Sequence, residues 1–447
     1  MGTLALLSAC LAAAAPLTLD DALAAATRRN AELALARLDR ETAAVDVRQS
    51  YQGVLPRLDL TGGFGRLFVG ETEEVTVVSN PTPPPDFVRS AVSVPPSDFG
   101  DYRYNLALSW TLFDGLASWN LIASSRTRSA AANRQLDEST LRVAFEVTRR
   151  FYELVKQQRA LEVRRETAAL SEELVKRADA LFSAGRGTKA DTYAARVNLG
   201  NDRIAVRNQT AVLEGARADL AVVLGLTSSA GLEVVPPGTV AGPLVPAQEP
   251  PPLPELLAEA RKRRPVLAAR KLSGEASDKE IARARGAYWP VLGVQASYGK
   301  TSAEVDGRFG LFGALSAQYA ASAQFTVAWN LFEGGATRAN VQRAQVESRR
   351  AWTLLEQDEQ TVSAEVTVAR EQLAALIDTA KTVQENLAAA EAGLRFAKER
   401  LEAGVTSQLE VRDATLKLSE ARLQWVSTVV DLVVARADLN RAVGGSL

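Results

Sequence analysis

A six-residue motif that occurs twice constrains the architecture of this chain more than any other feature. The sequence reads WTLFDG at 110–115 and WNLFEG at 329–334. The separation between these two copies also relates the Ala-Gly pair at 184–185 to the Ala-Gly pair at 403–404. A constant separation between distant landmarks indicates an internal duplication of the chain.

The boundaries of the two copies follow from a second, longer separation. Upstream of the motif, YQGVLPRLDL at 51–60 corresponds to RGAYWPVLGV at 285–294. The extra residues of the first copy fall on the Pro-rich stretch at 78–96, which we predict to be a loop because loops absorb insertions. We predict one repeat at 16–224, a Pro-rich linker at 225–252 and a second repeat at 253–447. Each repeat would run helix, strand, loop, strand, long helix, turn, helix.

The N-terminus has the pattern of a targeting segment. Leu4 to Ala15 form an apolar run that suits the core of a signal peptide and is too short to span a membrane as a helix. We predict a signal peptide at 1–15, cleaved near Ala14 or Ala15. Because LSAC at 7–10 resembles a lipobox, acylation of Cys10 is a second interpretation. An uncleaved N-terminus is the third.

The composition argues against several classes of function. The chain has no His, a single Cys and a net charge of −1. It therefore lacks the commonest general base, a disulfide framework and a thiolate zinc cluster. The balanced charge gives no polybasic surface for nucleic acid. We expect no enzymatic activity, no metal site and no cofactor.

Two long stretches predict antiparallel helical hairpins, at 118–224 and 337–443. In the second, apolar residues alternate in steps of four and three, which is the seam of a coiled coil. The seam comprises Val362, Val366, Ala369, Leu373, Leu376, Ala380, Val383, Leu387, Ala390, Leu394, Ala397 and Leu401. On the returning helix we predict a buried row of Leu409, Leu416, Leu423, Val430 and Ala437. In the first hairpin polar residues interrupt the seam, so its packing must differ: Arg150, Gln157, Arg164 and Ser171.

Four segments alternate in the manner of β-strands, at about 56–66, 102–113, 290–300 and 318–331. Each has one apolar face and one face of small polar residues, and each approaches the length of an outer-membrane strand. A half-buried soluble sheet would alternate in the same way. If the strands do span a membrane, four cannot close around a lumen, so several chains must share one barrel.

The chain resembles the TolC family of outer-membrane efflux and secretion channels. The resemblance rests on LTLDDALAAATRRN at 17–30, LALSWTLFDG at 106–115, FTVAWNLFEGG at 325–335 and both hairpin turns. It implies a mainly α protein with a membrane β-barrel part. A homotrimer would combine a 12-stranded barrel in outer-membrane lipid with a periplasmic α-barrel of 12 helices. It further implies two partners, a periplasmic adaptor (membrane fusion) protein and an inner-membrane pump of RND or ABC type.

The resemblance also assigns three groups of residues. The hairpin tips would meet the adaptor: Ala184, Gly185, Arg186, Gly187 and Thr188, with Ala403, Gly404, Val405, Thr406 and Ser407. Acidic rings at a periplasmic aperture would comprise Glu410 and Asp413. The transition from barrel to helix would comprise Trp110, Asp114, Gly115, Trp329, Glu333 and Gly334.

The function that this resemblance implies is a passive exit duct of a tripartite efflux pump or a type I secretion system. It would lie in the outer membrane, with a large periplasmic part and a gated aperture. The alternative is a non-conducting periplasmic coiled-coil scaffold, which the long helices alone would also suit.

Overall fold

The computed structural model describes residues 17–80, 86–235, 249–303 and 319–445. The predicted signal peptide at 1–15, including Cys10, lies outside these residues. The chain divides into two compact units. The first contains residues 1–43, 128–274 and 351–447, and the second contains residues 44–127 and 275–350.

Helices make up most of the described chain. They are α1 Leu19–Arg29, α2 Ala31–Ser50, α3 Ala117–Ser183, α4 Lys189–Leu224, α5 Leu253–Arg263, α6 Pro265–Arg285, α7 Ala336–Glu402 and α8 Gln408–Val443. The helices α3 and α7 have 67 residues each, which corresponds to ~100 Å at the usual helical rise. Among the described helices, none has the length and apolar character needed to cross a membrane.

The two hairpins end in the same way, within the first unit. Helix α4 ends at Gly225 with φ 69°, and α8 ends at Gly444 with φ 103°. A Cβ on Gly225 would lie 2.4 Å from the Arg29 carbonyl oxygen, and one on Gly444 would lie 2.9 Å from the Arg263 carbonyl carbon. Each glycine therefore combines a left-handed backbone with a close approach to the end of a short helix, which only glycine tolerates.

The predicted seam of α7 is largely confirmed. Its residues from Val362 to Leu401 are mostly buried and pack on α5 and α8 at one end and on α3 and α8 at the other. At one position Ile377, rather than Leu376, is the buried residue.

The predicted row on α8 is wrong in its first half. Leu409 is 75% exposed and Leu416 is 40% exposed. A buried row lies two positions further along the helix: Val411, Leu418, Leu432 and Leu439. Because α8 packs against both α7 and α3, it carries apolar residues in two rows, and the heptad pattern does not say which row faces inward.

The polar interruptions in α3 are matched by polar residues of α4. Arg150 pairs with Asp219 at 2.6 Å, and Ser171 donates a hydrogen bond to Asp202 at 2.5 Å. Gln209 lies between them, where its side chain accepts a hydrogen bond from Arg164 and donates one to Gln157. The first hairpin is thus held by polar contacts where the second is held by an apolar seam.

The second unit contains the sheet. Its strands are β1 Arg57–Val69, β4 Ser97–Phe113, β5 Val291–Ser302 and β6 Tyr319–Ala328, in the antiparallel order β1-β4-β5-β6. Strands β2 Thr72–Asn80 and β3 Asp86–Val94 form a separate antiparallel pair. The expectation of a loop at 78–96 is therefore wrong for 78–80, which end β2, and for 86–94, which form β3. Its residues 81–85 lie outside the described residues. Pro95 and Pro96 follow β3 instead of interrupting it.

The register divides the four-stranded sheet into two faces. Leu58, Leu108, Ala296 and Ala323 lie in one row across it, and Asp59, Ala107, Ser297 and Ser322 lie in the next. We call the side with the first row the apolar face and the side with the second row the polar face. β6 ends at Ala328, short of the predicted end at 331.

Candidate gating and docking sites

Both tryptophans of the duplicated motif tie a strand end back to the turn before an earlier strand. The Trp110 indole donates a hydrogen bond to the Val54 carbonyl at 3.0 Å. The Trp329 indole donates one to the Tyr288 carbonyl at 3.2 Å. The two tryptophan donors have the separation that relates the two copies of the motif. The two acceptors have the longer separation, which relates 51–60 to 285–294. Trp110 lies within β4, whereas Trp329 lies just after β6.

The acidic residue of each motif accepts hydrogen bonds just before the start of the helix that follows. The Asp114 carboxylate accepts hydrogen bonds from the Ser118 amide at 2.8 Å and the Ser118 hydroxyl at 2.5 Å. The Glu333 carboxylate accepts hydrogen bonds from Asn330 and Thr337. These contacts satisfy polar groups at the first turns of α3 and α7 and place negative charge there, where the helix dipole favours it.

The glycines of the two motifs have different surroundings. Gly115 has φ 67° and Gly334 has φ 64°. A Cβ on Gly115 would lie 2.3 Å from the Gly286 carbonyl oxygen, whereas one on Gly334 would meet nothing within 4 Å. Leu116 follows at φ 65°, where the second copy has Gly335. The first copy therefore tolerates a residue that is strained in the left-handed region.

The first hairpin tip, between α3 and α4, is closed by backbone and side-chain bonds. The amide of Gly185 donates to the Phe182 carbonyl at 3.0 Å, and that of Arg186 donates to the Leu181 carbonyl at 2.9 Å. At the start of α4, Thr188 and Asp191 form a reciprocal capping box.

The second tip, between α7 and α8, uses different side chains. Ser407 occupies the N-cap position but makes no capping bond with its side chain. Glu410, which corresponds to Asp191 of the first tip, instead accepts a hydrogen bond from Thr406 and pairs with Arg400 at 2.6 Å. This carboxylate therefore links the end of α7 to the start of α8.

Replacing Thr188 with alanine is expected to loosen the first tip. The lost cap costs about 1 kcal/mol, so trypsin should cleave after Arg186 about fivefold faster if local opening limits cleavage. Hydrogen bonds from Thr188 also lower the pKa of Asp191. The capping box is therefore intact above that pKa and weakens as the pH falls through it.

Ser407→Ala is the matched control, scored by cleavage after Arg400. Because Ser407 makes no capping bond with its side chain, its removal should leave the rate nearly unchanged. Equal acceleration in both variants would contradict the assigned cap.

Both predicted aperture carboxylates have a basic partner in their own chain. Glu410 pairs with Arg400 at 2.6 Å, and Asp413 pairs with Lys417 at 2.8 Å. The hydrogen bond to Asp413, and then its charge, raise the pKa of Lys417. Neither partner was predicted from the sequence, although the four-residue spacing of Asp413 and Lys417 is a recognised pairing signal on a helix.

Arg412, which lies on α8 between these two carboxylates, forms a buried ion pair with Asp202 of α4. The guanidinium of Arg412 contacts both oxygens of Asp202, at 2.6 and 2.9 Å, and donates to the Ser171 hydroxyl at 2.8 Å. Arg412 is 9% exposed and Asp202 is 8% exposed. The cluster joins α8 to both helices of the first hairpin. The sequence showed Ser171 as a seam interruption but not its partners.

Comparison with known proteins now identifies the group to which this protein belongs. The model of the family described as outer membrane efflux protein matches residues 22–226 and 256–445. The chain belongs to the outer membrane efflux protein family. The family places this protein in the outer membrane, among transport proteins rather than enzymes.

Individual relatives agree with this assignment. OprJ, an outer membrane protein of Pseudomonas aeruginosa, is 29% identical over 42% of this chain and 38% of its own length. BepC, an outer membrane efflux protein of Brucella suis, is 24% identical over 77% of this chain and 73% of its own length. The outer membrane channel CmeC of Campylobacter jejuni has the same fold, with a TM-score of 0.76 at 16% identity, covering 96% of this chain and 85% of CmeC.

Proposed function

We propose that this efflux family protein is one of three identical subunits of an outer-membrane exit duct. The duct would conduct substrates passively, out of a tripartite efflux pump or a type I secretion system. The observation that carries the proposal is the four-stranded sheet, which has one apolar face, one polar face and an outer strand at each side.

The outer strands require partners in lipid. Among the residues that the structure describes, β1 pairs only with β4, and β6 pairs only with β5. An unpaired strand edge is not tolerated in the hydrocarbon region, because its N–H and C=O groups have no water to bind. Pairing of β6 with β1 of the next chain removes both edges. Three chains give a 12-stranded barrel. In an eight-stranded barrel the side chains largely fill the interior, and a 12-stranded barrel is wider.

The ion pairs of the first unit support the same arrangement for the helices. Arg422 of α8 pairs with Glu166 of α3 at 2.6 Å and with Glu391 of α7 at 3.8 Å. Asp202 of α4 contacts Ser171 of α3. These contacts place α8 between α7 and α3 and place α4 beside α3, so that α7 and α4 are the outer helices. Near the tips α8 also reaches α4, through Arg412 and Asp202. Between α4 and α7 the described residues form no ion pair, so each outer helix is available to the neighbouring chain. Both carry exposed apolar residues, such as Val197 and Phe396.

Partners would bind at the hairpin tips. We place a periplasmic adaptor there, because the second tip exposes apolar side chains: Leu409 is 75% exposed and Val405 is 69% exposed. The adaptor would connect the duct to an inner-membrane pump. A photo-crosslinker at Gln408 should capture the adaptor in cells. The matched position is Lys381, an exposed residue on α7 away from the tip. Equal capture at both positions, or at neither, would contradict the docking assignment.

The duct proposal itself is tested by conductance. Purified full-length protein should insert into planar bilayers as a trimer and give stable ion-conducting steps. A folded monomer that never conducts would favour the alternative of a periplasmic scaffold.

Neutralising Lys417 is expected to increase block of the duct by divalent cations. The Lys417→Gln change removes the cation that pairs with Asp413 in all three chains, and three carboxylates without this partner at a narrow aperture attract Mg²⁺. We expect half-block at about threefold lower Mg²⁺ concentration.

The control for this prediction is Lys381→Gln, which breaks a similar exposed pair with Asp378 on α7. It should leave Mg²⁺ block unchanged. Block that stays the same in Lys417→Gln would place Asp413 away from the aperture.

A further inference from the structure

The polar face of the sheet carries four charged residues, all of them in ion pairs. Arg57 pairs with Asp59 at 2.8 Å, and Arg103 pairs with Asp101 at 3.0 Å. In each pair the two residues are separated by one residue in the same strand, so their side chains project from the same face. The charge of this face therefore sums to zero within two close pairs.

The Arg103 side chain lies along the sheet. A Cβ on Gly63 of the neighbouring strand would lie 3.3 Å from both Cγ and Nε of Arg103. Gly299 gives similar room to Asn105, whose Oδ1 lies 3.2 Å from the position of a Cβ. The glycines thus let two long polar side chains lie against the sheet.

A broad recess results on this face. Its volume is about 490 Å³, and its lining includes Thr61, Gly63, Arg103, Asn105, Gly299 and Thr301. Among the described residues that line it, Arg103 is the charged one. The Arg103 side chain is 67% exposed and that of Asp101 is 31% exposed. Arg103 therefore lies at the recess, and both charges of the pair are accessible from the polar face.

We propose that the Arg103–Asp101 pair sets the charge selectivity of the barrel part of the duct. This inference rests on the proposed function, in which the polar faces of three sheets line the lumen. Three such pairs then encircle the lumen. Because the opposite charges lie close together, their fields largely cancel at the distance of a passing solute. The barrel admits anionic and cationic cargo alike, and removal of either partner creates a ring of three like charges.

The test is the reversal potential of the full-length protein in planar bilayers under a KCl gradient. Arg103→Ala leaves three Asp101 carboxylates and should shift the permeability ratio about twofold toward K⁺. Asp101→Asn leaves three Arg103 guanidinium groups and should shift it about twofold toward Cl⁻. The double variant should return close to the wild-type ratio.

The matched control is a third Arg–Asp pair, which lies on the opposite face. Arg66 and Asp98 pair at 2.8 Å, and the register places both on the apolar face, outside the lumen. Arg66→Ala and Asp98→Asn should not change the ratio. Conducting Arg103 and Asp101 variants that leave the ratio unchanged, or shift it in one direction, would overturn the inference.

Chemical modification of a cysteine variant changes the charge at position 103 within one folded channel. Arg103→Cys in a Cys10→Ser background has a single thiol. A cationic methanethiosulfonate reagent should restore the wild-type ratio, and an anionic one should increase K⁺ preference. Equal effects of the two reagents would contradict the inference. Wild-type protein that inserts without conducting would instead contradict the proposed function.

Discussion

Replacing Arg412 with leucine is expected to destabilise the protein more than any other single change on the helical hairpins discussed above. The change leaves the buried carboxylate of Asp202 with only the Ser171 hydroxyl as a partner. Removing one member of a buried ion pair typically costs about 3–5 kcal/mol, because the other charge remains desolvated. The measurement is the unfolding transition of the full-length protein in detergent, followed by circular dichroism.

Two further variants separate this cause from simple loss of a contact. The double variant Arg412→Leu with Asp202→Leu removes both charges and should recover most of the loss, since apolar replacements of buried pairs are often neutral. Arg422→Leu breaks an exposed pair between α8 and Glu166 of α3, in the same first hairpin, and should cost less than about 1 kcal/mol. A double variant as unstable as the single one would contradict the account.

The second large effect is expected from Gly115→Ala at the transition from strand to helix. The new methyl group would lie 2.3 Å from the Gly286 carbonyl oxygen, and the backbone at φ 67° disfavours any L-residue. Strain and overpacking together should cost about 2–5 kcal/mol. Thermal unfolding of the purified protein and the yield of trimer in outer-membrane fractions report the loss.

The second copy of the motif supplies the control. Gly334 has nearly the same φ, but a methyl group there meets no atom within 4 Å. Gly334→Ala should therefore show the backbone strain alone, about 1–2 kcal/mol. If the two alanine variants were equally stable, the contact between Gly115 and Gly286 would not be essential.

Features with a strong local pattern could be predicted from the sequence. The α7 seam has one continuous apolar row, and burial largely follows it from Val362 to Leu401, with Ile377 buried in place of Leu376. The hydrogen bonds of the duplicated tryptophans were not predicted, although their acceptors have the longer of the two separations read from the sequence. For the seam, one helix row contains all the necessary information.

Features that depend on a second element could not be predicted. Helix α8 has two apolar rows, and only its packing between α7 and α3 shows that Val411 and Leu418 are buried while Leu409 is exposed. The partners Arg412 and Asp202 lie 210 residues apart, so no local spacing reveals them. The roles of Glu410 and Asp413 at an aperture remain predictions, now with Arg400 and Lys417 as their neutralising partners.

The most direct test of the trimeric duct is disulfide cross-linking between the two outer strands of the sheet. In a Cys10→Ser background, Leu60→Cys on β1 is combined in turn with Ala321→Cys, Ala323→Cys or Phe325→Cys on β6, all on the apolar face. Oxidation of outer membranes should give dimers and then trimers, with no larger product, and one combination should react most completely. Products that stop at the monomer or dimer, or that extend beyond the trimer, would contradict the account.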